Sequence, residues 1–343
     1  MPLLTRRAFG LGTLAGSAAA MLSRATRAAA ETDKIRVGIL PLTSHAPTFI
    51  ALGKGYFAKQ GLDAEAVTFE ASEPMAVAIA AGDVDFGVTA ITGGLISLAD
   101  KGAVTVIGGA LEEASGVEGE KILVSKKAYD EGVTTPAKLK DRSFGITTAG
   151  SSFQYMAHKI AQKEGFKDSD IELKPLQKVP VVIAALKSGQ IDAWSIQPNI
   201  ADMLTKDGQA VEIGRISGYV PDYQVTTVFT STANVGKRRE LVKRYLAAYS
   251  QGVADYNAAF VAKAASAEET AALVEMIHKY VYASQPLDKA DPLIRAGAMR
   301  ISPNGRINLA NVKDQLEWFQ AEHMAPEGMT MAKLVDTSFV PAN

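Results

Sequence analysis

A single offset recurs along the chain and constrains its architecture more than any local motif. Shifting the 343-residue sequence by 107 positions superposes Gly38-Ile39 on Gly145-Ile146, Ser44 on Ser151, Gly82 on Gly189, Asp85 on Asp192, Asp100 on Asp207 and Ala103-Val104 on Ala210-Val211. Conservative matches fill the intervals: Ile79 with Leu186, Val84 with Ile191 and Val106 with Ile213. One constant displacement over that much chain reads as an internal structural repeat, into which every other element has to fit.

Each copy alternates short β-rich runs with helical patterns. The first set of predicted strands is Ile35–Leu40, Ala64–Phe69, Phe86–Thr89, Val104–Gly108 and Ile122–Ser125. The second is Phe144–Thr147, Ile171–Leu176, Asp192–Ile196, Val211–Ile213 and Thr226–Thr230. Helices are predicted between them over Pro47–Gln60, Met75–Ala81, Gly93–Asp100, Phe153–Glu164, Val181–Ser188 and Ile200–Lys206. Such alternation predicts parallel α/β sheets with right-handed crossovers. From Lys237 to Ile277 the chain is rich in Ala, Glu, Lys and Leu and carries no strand pattern, so it reads as helices.

Two related α/β lobes then face one another, and the crevice between them is the expected site. The offset pairs the loop Thr43-Ser44-His45 with Gly150-Ser151-Ser152, and Thr89-Ala90-Ile91-Thr92 with Ile196-Gln197-Pro198-Asn199. All four follow a strand and precede a helix, where helix starts offer free backbone N–H groups. The hydroxyls of Ser44, Thr89, Ser151 and Ser152 either meet a ligand or cap their helices. Asp85 and Asp192 read as structural residues that order nearby backbone.

The N-terminus is different in kind. Residues 1–30 hold Arg6, Arg7, Arg24 and Arg27 and no acidic residue, with the small, apolar stretch Ala8–Leu22 after Arg7. That stretch is too short to span a bilayer. It ends in Arg27-Ala28-Ala29-Ala30, which fits signal cleavage near Ala30. Thr5-Arg6-Arg7-Ala8-Phe9 resembles a twin-arginine signal, with the choice between that route and general secretion left open. Gly10-x-Gly12-x-x-Ala15 mimics a dinucleotide fingerprint but follows no strand. Losing the leader removes four arginines and takes the formal net charge from −1 to −5. Near-neutral to acidic charge argues against a nucleic-acid partner.

His45-Ala46-Pro47-Thr48-Phe49-Ile50-Ala51, running into Gly53-Lys54-Gly55-Tyr56-Phe57-Ala58-Lys59-Gln60-Gly61-Leu62-Asp63, resembles the first-helix signature of a periplasmic family. That family is the ABC-transporter substrate-binding proteins of the sulfonate/nitrate/taurine and thiamine-pyrimidine-precursor group. Ala80-Ala81-Gly82-Asp83-Val84-Asp85-Phe86-Gly87-Val88 is similar to its second signature, and Leu186-Lys187-Ser188-Gly189-Gln190-Ile191-Asp192-Ala193-Trp194 to the second-lobe counterpart. The resemblance covers roughly Ile35 to Ser231. It implies a two-lobed periplasmic-binding-protein fold of type II, with two crossover connections and the ligand cleft between the lobes. Residues 31–125 and 231–343 are expected in lobe one and 126–230 in lobe two. A monomeric periplasmic receptor is implied, which closes like a hinge over its solute and docks on an inner-membrane ABC permease.

The expected ligand-binding residues are Thr43, Ser44, His45, Ser72, Thr89, Ala90, Thr92, Ser151, Ser152, Phe153, Trp194, Gln197 and Tyr223. Helix starts near Ser44, Ser72, Thr92 and Ser151 offer donors to an anion. No arginine lies within these loops, although folding can bring Arg142 near. His45 is either a donor to the ligand or a structural histidine bonded to a neighbouring loop. Trp194, Phe153 and Tyr223 either stack on a flat ligand or belong to the core. Glu73 is read as a helix-dipole partner; beside the pocket it would instead favour an amine or pyrimidine. The first ligand expectation is a small organic anion, sulfonate- or taurine-like or an aromatic carboxylate. The alternatives are a receptor for a pyrimidine or other neutral heterocycle, a receptor that signals through a membrane sensor, and an exported enzyme on the same fold.

Catalysis finds little support in composition. With no cysteine there is no thiol chemistry and no cysteine-ligated metal. His45, His158, His278 and His323 show no metal-ligand spacing, and no cofactor is expected. The mature chain has no Gly-x-Ser-x-Gly elbow, P-loop or HExxH motif. The Cys-rich motif of pyrimidine-synthase relatives is also absent.

Overall fold

The β-rich runs of the sequence become two five-stranded sheets. The computed structural model describes residues 32–341; the expected export leader, its twin-arginine motif and its cleavage site lie outside the described residues. The strands, in chain order, are β1 (Asp33–Ile39), β2 (Leu62–Thr68), β3 (Phe86–Thr89), β4 (Val104–Gly109), β5 (Leu111–Glu112), β6 (Lys121–Ser125), β7 (Arg142–Ile146), β8 (Ile171–Pro175), β9 (Ala193–Ile196), β10 (Ala210–Arg215), β11 (Thr227–Ser231) and β12 (Arg300–Ile301). All ten predicted strands are present. Beyond them, the described residues add only β5 and β12, which have two residues each and pair with one another.

The first sheet has the order β2-β1-β3-β11-β4 and the second β10-β6-β9-β7-β8. Read from its other edge, the second sheet is the first moved along the chain by the repeat, with β6 in the place of β11. Even the register carries over. Ile35 faces Ala64 as Arg142 faces Ile171, and Val37 faces Phe86 as Phe144 faces Ala193. The substituted strand runs antiparallel to both neighbours in each sheet. This is the two-lobed α/β architecture with two crossovers between sheets.

The crossings come earlier than the expected boundaries. β6 ends at Ser125 but lies in the second sheet, and β11 begins before Ser231 but lies in the first. All five residues of β6 and four of five in β11 are buried. Neither strand has a polar face, so no alternation reveals its neighbours.

The repeat preserves the contacts that build each sheet. The Asp85 carboxylate accepts the Arg36 backbone N–H at 2.8 Å; the equivalent Asp192 accepts the Ser143 N–H at 2.9 Å. Each ties the start of the third strand of its copy to the first, a structural role as the sequence suggested. A Cβ on Gly38 would stand 2.8 Å from Met75, and one on the equivalent Gly145 would stand 2.8 Å from Val182, the residue equivalent to Met75. In both lobes a helix seats directly on a bare strand position.

The helix expected over Pro47–Gln60 is broken. It forms Ala46–Gly53 and Tyr56–Lys59, with Gly55 between them in the left-handed region at φ 66°. Glycine reaches that conformation without steric cost. After the second sheet the chain is helical, as expected. In Arg239–Tyr256, Val242, Tyr245, Tyr249, Val253 and Tyr256 form a buried stripe at helical spacing, and Tyr245 stacks on Phe86 of β3 at 3.9 Å. The helix Leu309–Ala321 leans on the second-lobe helix Ser152–Glu164. Lys159 pairs with Asp314 at 2.8 Å, and Trp318 packs edge-on against Tyr155 at 5.3 Å.

Candidate ligand-binding site

The carboxyl ends of β1, β3, β7 and β9 converge, and each gives way to a loop that starts a helix. The loops close on a cavity of about 60 Å³ between the lobes. It is lined from the first lobe by Ser44, His45, Ser72, Thr89 and Ala90, and from the second by Ser151, Ser152, Phe153 and Gln197. Nine of the residues expected from the sequence therefore meet in one place, and they include members of all four loops. Leu111, Glu120, Val225 and Thr226 of the two crossings also line it.

Four expected residues stand elsewhere. The Thr43 hydroxyl donates to Gln197 Oε1 at 2.9 Å, which orients that amide from behind. Thr92 caps the helix Gly93–Asp100, accepting the Leu95 N–H at 3.0 Å and donating to Glu73 at 3.1 Å. Glu73 thus stays with its own helix start, off the cavity. Trp194 is fully buried behind Phe153, with ring centroids 5.5 Å apart. Its position on β9 has both sheet faces covered, so the indole belongs to the core. Tyr223 is also fully buried, against Tyr155 at 5.1 Å. Of the expected aromatic wall, only Phe153 faces the cavity.

The lining hydroxyls do not serve as caps. Thr89 donates to Ser72. Ser151 occupies the N-cap position of Ser152–Glu164, yet its side chain accepts nothing from the helix. Its hydroxyl is buried and has no hydrogen-bond partner among the described residues. An unmade hydrogen bond in a buried site costs about 1–3 kcal/mol, which a ligand atom can recover. His45 is fully desolvated, and burial pulls its pKa down to about 3, so the imidazole is neutral. Its Nδ1 accepts the Leu40 backbone N–H at 3.4 Å, which leaves the proton on Nε2.

Among the described residues one acidic side chain lines the site, and no charged basic one. No lysine or arginine lines the cavity among the described residues, and Arg142 pairs with Glu131 at 2.9 Å instead. Glu120 does line it, 3% exposed, with Oε2 lacking any partner. Burial, with Glu113 close by, pushes its carboxyl well above the ordinary range. Glu120 is not among the residues expected from the sequence. It sits in an irregular crossing that carries no motif, and nothing local distinguishes it from Glu112, Glu113 and Glu118.

Direct bonds hold the lobes together around the cavity. The Gly93 N–H donates to the Gly150 carbonyl at 3.1 Å, and Asn199 donates to the Tyr282 hydroxyl at 2.7 Å. Lys178 pairs with Glu70 across the cleft mouth. The crossings are tied side by side, with Glu113 N–H donating to Tyr223 C=O and Ile216 N–H to Glu120 C=O, both at 2.9 Å. A larger open groove of about 830 Å³ lies between Gly93–Asp100 and the C-terminal segment, away from these strand ends. Among the described residues, no three His, Asp or Glu side chains gather as a metal site.

Known proteins resemble this chain in sequence or in fold. A Brucella abortus (strain 2308) protein with a provisional binding-protein name is 28% identical over 223 residues, 64% of this chain and 66% of that protein. The nitrate/nitrite binding protein NrtA of Nostoc sp. is 27% identical over 192 residues, covering 52% of this chain and 43% of its own length. Among solved structures, the alkanesulfonate-binding protein SsuA from Xanthomonas axonopodis pv. citri, bound to MOPS, superposes with a TM-score of 0.70 at 19% identity. That match covers 90% of this chain and 100% of the other, and it is a likeness of fold. Residues 42–259, from the first cleft loop to beyond the second sheet, match the NMT1/THI5-like family, and the chain belongs to that family.

Proposed function

We propose that the protein is an extracytoplasmic solute-binding receptor of an ABC importer, which closes its two lobes over a small organic solute and delivers it to an inner-membrane permease. The observation that carries this is the cavity walled by repeat-related loops of both lobes, with Ser151 left unpaired in it. Such a site gains its contacts only when the lobes meet, which is how hinge closure is coupled to binding. The crossings 110–120 and 216–226 form the hinge. The nine lining residues expected from the sequence hold the solute, with Ser151 and Ser152 at a helix start taking its acceptor end. The organic anion expected from the sequence is one class with such an end.

The cavity of about 60 Å³ has room for roughly four or five water positions. A solute larger than a few heavy atoms therefore holds the lobes slightly further apart. An enzymatic role fits less well. Ser151 Oγ touches no base, and His45 is neutral with Nδ1 engaged by Leu40. A nucleophile needs a base within hydrogen-bond reach.

Native mass spectrometry of the purified protein tests the proposal directly by weighing any co-purified solute. A thermal-shift panel follows: a cognate solute at 100 times its Kd stabilises by about 2.7 kcal/mol. Stoichiometric retention without consumption is the expected result. Turnover that disappears in Ser151→Ala would instead establish an enzyme.

A further inference from the structure

The helix Leu309–Ala321 follows first-lobe elements in the chain, yet its bonds run elsewhere. The Tyr155 hydroxyl of Ser152–Glu164 donates to Asp314, and Lys159 of that same helix pairs with the carboxylate at 2.8 Å. Asn311 donates to the Tyr155 hydroxyl at 3.3 Å. Trp318 packs on Tyr155 and on His158, with ring centroids 5.3 and 5.4 Å apart. Further along, a Cβ on Gly150 would stand 3.5 Å from Phe319. Among the described residues, no side-chain hydrogen bond or ion pair joins this helix to residues 33–110 or 227–301. Instead, Leu309 and Lys313 edge the open groove of about 830 Å³, whose lining from the first lobe includes Asp100, Thr105 and Val235.

The start of the helix is pinned at the hinge. Gln224, fully buried in the second crossing, donates its N–H to Asn311 Oδ1 at 2.9 Å and accepts from Gln315 Nε2 on its C=O at 3.0 Å. Its Oε1 accepts the Asn308 N–H at 3.1 Å, and its Nε2 donates to the Leu111 C=O of the first crossing at 3.2 Å. One residue thus ties both crossings to the helix. Points on a hinge axis move least, so this end keeps its bonds while the lobes swing. The rest of the helix has to follow one lobe or the other. Staying with the first would pull Asp314 from Tyr155 and Lys159 and open Trp318 and Tyr155 to water; following the second breaks none of these contacts. The segment after Leu287–Ala296 differs, because it is bonded to both lobes: the Gly297 C=O accepts from Thr43, and the Tyr282 hydroxyl from Asn199.

From this we infer that Leu309–Ala321 is a strap carried by the second lobe, which swings with Ser152–Glu164 when the cleft opens, so that segments 302–308 and 322–330 flex together with the two crossings. The inference rests on the receptor reading above and concerns which parts of that receptor move together. It takes residues 309–321 out of the first-lobe span expected from the sequence. It also makes the groove beside Leu309 and Lys313 change shape as the cleft does, since its walls then belong to different moving bodies.

The chain has no cysteine, so pairs of spin labels can be placed at will in the full-length protein. Asp83 in the first lobe, Glu172 in the second and Glu317 on the helix are exposed. Double variants drawn from Asp83→Cys, Glu172→Cys and Glu317→Cys give three distances by pulsed electron–electron double resonance. Solute is first removed by unfolding in guanidinium chloride and refolding. The distance between lobes, from 83 to 172, should then extend beyond its value in this structure by more than about 2 Å. The distance from 317 to 83 should extend with it, while that from 317 to 172 stays within about 1 Å. A 317-to-172 distance that extends while 317 to 83 holds overturns the inference and leaves the receptor standing. Extension of both helix distances does the same, because the helix then follows neither lobe. A distance between lobes that does not extend shows that the cleft does not open, and removes the hinge reading and this inference together. If Glu172→Cys does not fold, Gln162→Cys, also exposed, takes its place as the second-lobe label.

Discussion

The two walls of the cleft descend from one repeated pattern and have diverged in how their polar groups are satisfied. On the first-lobe side Thr89 is bonded to Ser72 and His45 to Leu40, and behind them Thr92 to Leu95 and Glu73. On the second-lobe side the equivalent of Ser44, Ser151, has a free hydroxyl, and the hinge adds Glu120 with a free carboxyl oxygen. Behind the walls the copies agree, bond for bond at Asp85 and Asp192 and in register along the strands. The repeat thus preserves what builds a sheet, while the hydroxyls at the cleft are engaged differently in the two copies.

The sharpest way to break this comparison is at the second-lobe aromatic pair. Trp194→Ala should cost ~3–5 kcal/mol in denaturant unfolding, as for other buried large aromatics, and leave affinity nearly unchanged. Phe153→Ala, on the cavity wall, should do the reverse. This inverts the expectation from the sequence alone, in which Trp194 stood among the ligand-binding residues. Weak binding by a stable Trp194→Ala protein would return the indole to the site.

His45 of the first wall and Glu113 of the crossing titrate, whereas the second-lobe loops bring Ser151, Ser152, Phe153 and Gln197, none of which does. Burial raises the Glu113 pKa from 4.5 to about 7. The folded state therefore holds a proton that the unfolded state releases, and stability declines as pH rises from about 4.5 through 7. The share due to Glu113 is on the order of 3 kcal/mol, and Glu120, whose carboxyl burial also holds well above the ordinary range, carries the decline to higher pH. His45 acts oppositely. Its pKa falls from 6.5 to about 3, so the unfolded chain takes up the proton first and stability is lost as pH drops below about 6.5. The two windows overlap between about pH 4.5 and 6.5, where the opposing one-proton slopes cancel, so melting temperature against pH should be flat there and fall on either side. Glu113→Gln should flatten the alkaline arm only. Equal flattening of both arms would show that neither residue is the source.

The repeat-related glycines give a smaller, graded effect. A methyl at Gly145 would meet Ile191 Cδ1 at 2.5 Å and Val182 Cγ1 at 2.8 Å, whereas one at Gly38 meets the flexible Met75. Gly145→Ala should cost about 2 kcal/mol and Gly38→Ala about 1, because branched neighbours yield less readily than methionine. Identical costs would mean that the lobes relax alike. Smallest is the contrast of caps. Thr92→Ala should lose about 1 kcal/mol of stability with affinity intact. Ser151→Ala should lose affinity and no stability, since its hydroxyl makes no bond to lose. A stability loss at Ser151 would identify it as a cap after all.

Much of this was legible in the sequence. Apolar runs bounded by glycine located the ten long strands, because buried parallel strands are hydrophobic along their whole length. The constant offset located the loops that meet at the cavity. The single helix expected over Pro47–Gln60 failed at Gly55, where periodicity continues through a residue that backbone conformation sets aside. The boundaries at 125 and 230 failed because β6 and β11 look alike from within the chain and differ only in which sheet adopts them. Glu120 was invisible for a related reason: its burial in the cavity wall without a partner for Oε2 arises only when the surrounding segments assemble.

The chain by itself thus determined the alternation, the repeat and the family, all of which rest on short-range patterns of side-chain polarity and backbone freedom. The tertiary structure alone decided which sheet each exchanged strand joins, that Trp194 is core and Phe153 wall, and that Ser151 and Glu120 are left unpaired. Those properties depend on burial and on the presence or absence of partners brought from distant parts of the chain. Desolvation is a property of the assembled neighbourhood, which no single stretch of sequence contains.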